Sequence, residues 1–204
     1  MQLDFSDYTE NQRYHLMTQT IIPRPIAWAL TDSSNGSYNL APFSYFTAVS
    51  SKPALLMLSV GKKANGGNKD TLTNILNTKQ MVIHIASTEQ AELVTQTAKT
   101  LDHGDSELQD AGLTTTPFEN FPLPRLTDCD IAFACELYET KQLGDAQQTL
   151  IFVEVKHLYM SDHIVSKTAK DRLTIDATKI APLARLGGGE YAAIAEPFSL
   201  QRPD

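Results

Sequence analysis

Cysteine is scarce in this chain, and the little present does not suit a disulfide. Cys129 and Cys135 are the only two in 204 residues. Six residues apart in a strand-like run, they are expected to face the same side as reduced core thiols, too far along one strand to bridge. Histidine is also sparse: His15, His84, His103, His157 and His163 never fall at metal-ligand spacing. His84 and His157 lie within apolar strands and read as hydrogen-bonded core or barrel histidines. Positive charge is short as well. Seventeen basic against 24 acidic residues leave a net charge of −7, and without a basic stripe a nucleic-acid partner is not expected. No apolar run reaches the roughly 18 residues of a membrane span. The acidic, polar opening MQLDFSDYTE is unlike a signal peptide, so the expected location is cytoplasmic.

The common catalytic and nucleotide signatures are missing too. Gly61-x4-Gly66 puts Gly67 where a phosphate loop needs its lysine, and Lys69 comes two residues late. Without G-x-G-x-x-G there is no adenosine-pyrophosphate fingerprint. Ser59-x-x-Lys62 matches an acyl-transferase pair in letters but lacks the companion motifs. Neither G-x-S-x-G nor H-E-x-x-H occurs, and no repeat or low-complexity segment is visible.

Against these absences stand seven or so short strands and two or three helices. After a polar lead-in to Met17, Ile21 to Thr31 reads as a strand entered through Pro23 and Pro25, hence at an edge or bend. Asn35-Gly36 marks a hairpin with Tyr38 to Pro42 as the return strand. Phe46 to Ser50 and Ala54 to Val60 follow, broken at Lys52-Pro53. A Gly-rich loop leads to a helix from Asp70 to Thr78, with Leu72, Ile75 and Leu76 on one face and Asp70 as N-cap. Met81 to Ala86 is a strand, and Ser87-Thr88-Glu89-Gln90 opens a second helix through a capping box. Residues 100–128 lack a sustained period and read as an excursion; residues 179–204 read as a tail on one domain spanning 1–204. Ile131 to Glu139 and Thr149 to Tyr159 alternate as long antiparallel strands. With no βαβ rhythm, the expected class is mainly β, an antiparallel barrel with a few helices.

Chemistry concentrates between Ile21 and Thr78. Ser44, Thr47, Ser50 and Ser51 place hydroxyls in an apolar context, beside Pro42, Phe43 and Phe46. Lys69, Asp70 and Thr71 stand at a helix start, where free backbone N–H groups, a cation and a hydroxyl make an anion seat. Arg24, between two prolines, and Lys52 are further cations for a phosphate. Trp28 reads as core.

The ordered set PRPIAW, N-x-A-P-F-S-x-F-x-x-V-S-x-x-P, K-D-T-x-x-N-I and LARLGGGEY resembles the flavin-reductase-like FMN-binding split-barrel family. The resemblance implies a Greek-key split barrel and bound FMN. It implies that Asn39, Pro42, Phe43, Ser44, Tyr45, Phe46, Thr47, Ser50 and Ser51 lie along the flavin ring and ribityl chain. It puts Lys69, Asp70, Thr71 and Arg24 at the phosphate. It also implies a homodimer whose tail residues Arg185 and Tyr191 approach the flavin near the interface. NADH or NADPH is the implied electron donor, and free flavin, oxygen, iron or a partner oxygenase the acceptor. A module that stores or senses FMN is the alternative, and a pyridoxamine-phosphate-oxidase-type barrel is a third reading. One departure is plain: many reductases of the family carry Gly-Asp-His before the long strand, and here it is Gly144-Asp145-Ala146.

Overall fold

The computed structural model describes residues 1–99, 101, 105–168, 170–201 and 203. His103 therefore lies outside the described residues. Seven strands carry the fold: β1 (Ala27–Asp32), β2 (Tyr38–Phe43), β3 (Phe46–Ser51), β4 (Ala54–Val60), β5 (Gln80–Ile85), β6 (Ile131–Leu143) and β7 (Gln148–Met160). They form one sheet in the order β2-β1-β5-β6-β7-β4-β3, every pair antiparallel. The two edge strands, β2 and β3, are joined by only Ser44 and Tyr45. Three Cα–Cα steps reach at most about 11 Å, so the sheet must curl until its edges nearly meet. Ser59 N–H donates to the Tyr45 carbonyl at 2.9 Å and carries the β3–β4 ladder one residue into that crossing. The result is a split barrel.

The α-helices among the described residues are α1 (Glu10–Thr20), α2 (Asp70–Thr78), α3 (Ala91–Gln96) and the single turns α4 (Glu107–Asp110) and α5 (Ala177–Ile180). The lead-in thus holds a full helix, capped by Thr9, whose side chain accepts from Gln12 N–H. Asn35-Gly36 does form the β1–β2 turn, with Gly36 at φ +85°, and Ser33 N–H donates to the Ser37 carbonyl. The predicted first strand is interrupted. Arg24–Pro25 leaves the sheet to pair with Ala184–Arg185 of the tail, as two prolines near a strand start dictate. In α2, Leu72 and Ile75 are buried but Leu76 is 37% exposed. The N-cap is Lys69 and not Asp70, which occupies the first helical position.

One face of the sheet packs Ala27, Ala29, Met81, Ile83, Cys135 and Ile151 against Leu72 and Ile75 of α2. The opposite face packs Trp28, Leu30, Val82 and Ala134 under the segment holding Val94, Phe118 and Leu126. The excursion is therefore a cover for the outer face. Trp28 is core, its indole N–H donating to Thr97 Oγ1 at 2.9 Å.

The two cysteines do not face one way. Cys135 lies on the inner face and Cys129 in the outer cluster. Cys129 precedes β6 and so escapes its alternation. Both are free and buried, and burial lifts Cys129 to about 12 and Cys135 higher still, which keeps them as unreactive thiols. His157 is not a core residue. The β6–β7 register slips between Val155 and His157, and the ring ends exposed beside Phe118 and Phe121.

His84 is the buried histidine the sequence suggests. Leu126 N–H donates to Nε2 at 2.9 Å, so the proton sits on Nδ1, 3.0 Å from the Trp28 carbonyl. Burial lowers its pKa from 6.5 to about 4, partly opposed by the Trp28 contact. The folded state thus resists protonation that the unfolded chain accepts. Stability from His84 is complete above pH 6.5 and falls as pH drops from 6.5 towards 4. Urea denaturation should lose about 2 kcal/mol between pH 8 and pH 5 through this group. His84→Gln should remove that part of the slope; an unchanged slope in the variant would contradict the assignment.

Candidate functional site

The site grows from the barrel seam. Pro42, Phe43, Ser44 and Tyr45, at the β2–β3 crossing, line a cavity of about 260 Å³. Tyr14 from α1 closes one side, and Ser59, Gly61 and Gln148 stand on the other. Ser59 Oγ donates to Gln148 Oε1 at 3.5 Å, a long contact. Burial pushes the Tyr45 phenol above its ordinary value, with Tyr14 adding and Arg24 opposing. It therefore keeps its proton at neutral pH.

A second cavity of about 240 Å³ adjoins the first and shares Pro42, Lys62 and Lys69 with it. Its floor is Asn39, Ala41 and the α2 start at Lys69, Asp70 and Thr71, and its roof is Thr97, Ala98, Lys99, Leu101 and Glu107. The loop from Gly61 to Lys69 closes on itself. Lys63 N–H donates to the Gly67 carbonyl and Gly66 N–H to the Lys63 carbonyl, both at 2.8 Å. Gly66 sits at φ +82°, where a side chain would be strained. This turn gathers Lys62, Lys63 and Lys69 at one mouth.

Each cation there is engaged differently. Lys63 pairs with Asp70 at 2.8 Å. Lys62 donates to the neutral amide of Asn68 at 2.7 Å. Lys69 rests over the Phe43 ring, 5.7 Å from its centroid. No side chain caps the start of α2, so its first N–H groups remain available to an anion. The buried Thr71 hydroxyl accepts from Asn39 Nδ2 at 3.0 Å. Asn39 thereby holds Thr71 in place instead of reaching into open space. Glu107, lifted by burial and partly held down by its bond from Leu40 N–H, forms the acidic corner.

Several predicted residues lie elsewhere. Arg24 is buried and saturated: Nη1 donates to the Thr18 and Ile21 carbonyls at 2.5 and 2.7 Å, and Nη2 to Leu186 at 2.7 Å. Nε faces Ser44 Oγ at 3.4 Å. It is a clamp between α1, the tail and the seam, not a free phosphate ligand. Thr47, Ser50 and Ser51 lie exposed on β3, beyond the seam cavity. Thr47 Oγ1 donates to the Ala48 carbonyl, and Ser50 Oγ accepts from Lys52 N–H. Phe46 packs against the inner core, and Lys52 lines neither cavity. In the tail, Arg185 stacks over Tyr191 at 4.6 Å, and Thr95 donates to the Tyr191 hydroxyl at 2.9 Å. Tyr14, Lys63, Lys99, Glu107 and Gln148 went unread as site residues. Only the Lys62-Lys63 pair flanking the glycines carried a sequence signal; the others reach the cavities through long-range folding.

The family model described as flavin reductase like domain matches residues 17–177. An uncharacterised protein of Halalkalibacterium halodurans is 30% identical, over 100% of this chain and 97% of its own length. Among solved structures, nitrilotriacetate monooxygenase component B from Bacillus cereus superposes with TM-score 0.89 at 31% identity, covering 98% of each chain. Pseudomonas fluorescens 2-nitrobenzoate 2-nitroreductase gives 0.88 at 28% identity, covering 100% of this chain and 96% of its own. A protein with a split barrel domain from Shewanella frigidimarina gives 0.84 at 19% identity, covering the whole of both chains, a likeness of fold.

Replacing the Arg24 guanidinium should unseat three parts of the molecule together. Arg24→Met is expected to lose roughly 3 kcal/mol or more, since it strands buried carbonyls that had a charged donor. Arg24→Lys should recover only part, because an ammonium cannot span the same fork. Urea midpoints for the three proteins measure this, and an unshifted midpoint for the methionine variant would refute the clamp.

Proposed function

This chain belongs to the flavin reductase-like family, and from that premise we propose an FMN-dependent oxidoreductase. NADH or NADPH reduces the flavin, and electrons pass on to free flavin, oxygen, iron or a partner oxygenase. The observation that carries the reading is the pair of joined cavities, one walled by aromatic residues and one by a helix start with lysines. A flat ring joined to a phosphate suits that pairing. On this reading Lys69 and the α2 N–H groups hold the phosphate, with Lys62 and Lys63 beside them and Thr71 at the floor. Pro42, Phe43 and Ser44 flank the ring. Bound flavin supplies the hydride chemistry, and the protein supplies position, charge and exclusion of water. Support for an oxygenase partner comes from the component B relative.

We also infer a homodimer. The outer edge strand β3 is exposed along most of its length, with Val49 50% exposed, and Phe198 and Leu200 in the tail are each 84% exposed. An open strand edge on a lone subunit invites pairing. A neighbour across β3 would bring Thr47, Ser50 and Ser51 into a shared site, which one chain alone does not do.

Two outcomes are expected. Lys69→Ala should weaken FMN at least tenfold and leave riboflavin unchanged, as loss of one charge-assisted contact of about 1.5–3 kcal/mol requires. Fluorescence titration measures both, and equal losses for the two flavins would refute the phosphate seat. Light scattering of the FMN-loaded protein at micromolar concentration should give a dimer mass, and Val49→Lys should reduce it to a monomer. A monomeric wild type would end the dimer model.

A further inference from the structure

Four polar side chains, Thr31, Asn39, Thr71 and Asn74, are packed between β1, β2 and α2, and none is more than 3% exposed. They close a ring. Asn39 stands opposite Thr31 across the β1–β2 ladder. Its Nδ2 donates to Thr71 Oγ1 at 3.0 Å and to Thr31 Oγ1 at 3.4 Å. Asn74, about one turn beyond Thr71 on α2, donates from Nδ2 to the same Thr31 oxygen at 3.1 Å. The helix itself completes the circuit. Apolar contacts from Leu72 and Ile75 already fasten α2 to the sheet, and polar groups buried beside them are unfavourable unless paired. What such a ring adds is orientation, because a paired buried network leaves each side chain one arrangement. The group it orients towards open space is Thr71. Both hydrogens of the Asn39 amide nitrogen are used within the ring, so Thr71 Oγ1 is an acceptor there. The Thr71 hydroxyl hydrogen has no acceptor among the described residues, and Thr71 lines the helix-start cavity.

We propose that Thr31, which lines neither cavity, is a positioning residue of the anion seat. Thr31 holds the Asn39 amide by one hydrogen, and Asn39 presents its other hydrogen to Thr71. Thr71 then turns its own hydroxyl hydrogen to the cavity. The seat thereby gains a neutral donor beside Lys69. Such a donor suits an oxyanion whose oxygens only accept, as in an ionised phosphate ester. Without the Thr31 hydroxyl the Asn39 amide is free to rotate, and its oxygen then competes for the Thr71 hydrogen. The signature is a loss confined to ligands that carry the phosphate, since the walls of the seam cavity are untouched. The inference rests on the phosphate seat proposed above and names a residue that acts on it from outside.

Fluorescence titrations with FMN and with riboflavin test this. Thr31→Val keeps the side-chain shape and removes the hydroxyl; it should weaken FMN about threefold to tenfold and change riboflavin less than about twofold. Thr31→Ser, which restores the hydroxyl, should bind FMN within about twofold of the wild type. In a double-mutant cycle, Thr31→Val should add less than about twofold once Thr71→Val is present, because the first acts through the second. Equal losses for the two flavins in Thr31→Val, no rescue by serine, or full additivity overturns the proposal and leaves the ring a structural support. Lys69→Ala separates this from the seat itself. A loss confined to FMN there, with none in Thr31→Val, defeats the positioning role alone; equal losses of both flavins there defeat the seat and the proposal with it. If the wild type takes up no FMN, the flavin reading fails and inorganic phosphate becomes the probe. Against chloride at equal ionic strength, phosphate should then raise the thermal midpoint of the wild type more than that of Thr31→Val. An equal rise, or none, overturns the proposal. Where circular dichroism shows Thr31→Val unfolded, Thr31→Ala replaces it under the same criteria.

Discussion

The guanidinium of Arg24 is the contact on which the arrangement of this molecule depends. It lies at the carboxyl end of α1, where the helix dipole is negative, and takes two of that helix's terminal carbonyls. With its remaining donors it reaches the Leu186 carbonyl and faces Ser44. A planar fork suits this work, because a single cation addresses acceptors in three directions. Gly187 follows from the same packing: a Cβ there would stand 2.3 Å from Gln19 Cγ on α1. The tail can therefore lie against α1 only if that residue has no side chain. Through Arg24, the first helix, the last short strands and the seam become one unit, although 162 residues separate Arg24 from Leu186.

The seam has its own logic. Two residues must bridge the opposite edges of a seven-stranded sheet. Only the Tyr45 carbonyl still pairs, with Ser59 N–H at the end of the β3–β4 ladder. Their side chains turn to a gap that the curl of the sheet leaves open, and that gap is the cavity. Beside it, a protein of net charge −7 assembles a basic mouth by local means, one tight loop carrying lysines next to an uncapped helix start. Net charge governs the long-range field, while a site is set by the few groups within several ångströms. Acidic surface elsewhere is thus compatible with an anion seat here.

Much of the fold was legible because it is written locally. β4 and α2 fall at the residues that alternation and helical period indicate, and Asn35-Gly36 turns where its backbone freedom says it should. The misread points are those where a neighbour distant in sequence decides. His157 was placed inward by alternation, and a bulge beside Lys156 turned it out. Arg24 carried a charge without a visible partner in sequence, and its partners are carbonyls, which no side-chain pattern can announce. Thr47, Ser50 and Ser51 belong to the same hydroxyl-rich stretch as Ser44. The two-residue crossing sends them to the outer edge, while Ser44 stays at the cavity. Tyr14 lacked any signal, since an aromatic on a helix of mixed polarity could face anywhere.

The β6–β7 hairpin closes without the imidazole that the resemblance leads one to expect at Ala146. Gly144 keeps its positive φ of 67° and the turn closes, Gln147 N–H donating to the Gly144 carbonyl. Ala146 thus occupies a turn whose backbone needs nothing from an imidazole. Two residues on, Gln148 reaches the seam cavity. On the flavin reading, the polar group this hairpin offers there is an amide. An amide donates and accepts hydrogen bonds but carries no charge that titrates near neutral pH. Orientation of a ligand by this hairpin would rest on hydrogen bonding, with charge supplied by the lysines of the helix-start cavity, two of which, Lys62 and Lys69, also line the seam cavity. The two ends of the joined cavities are in this way chemically unlike, and a ligand that is flat and neutral at one end and anionic at the other has one favourable direction of entry.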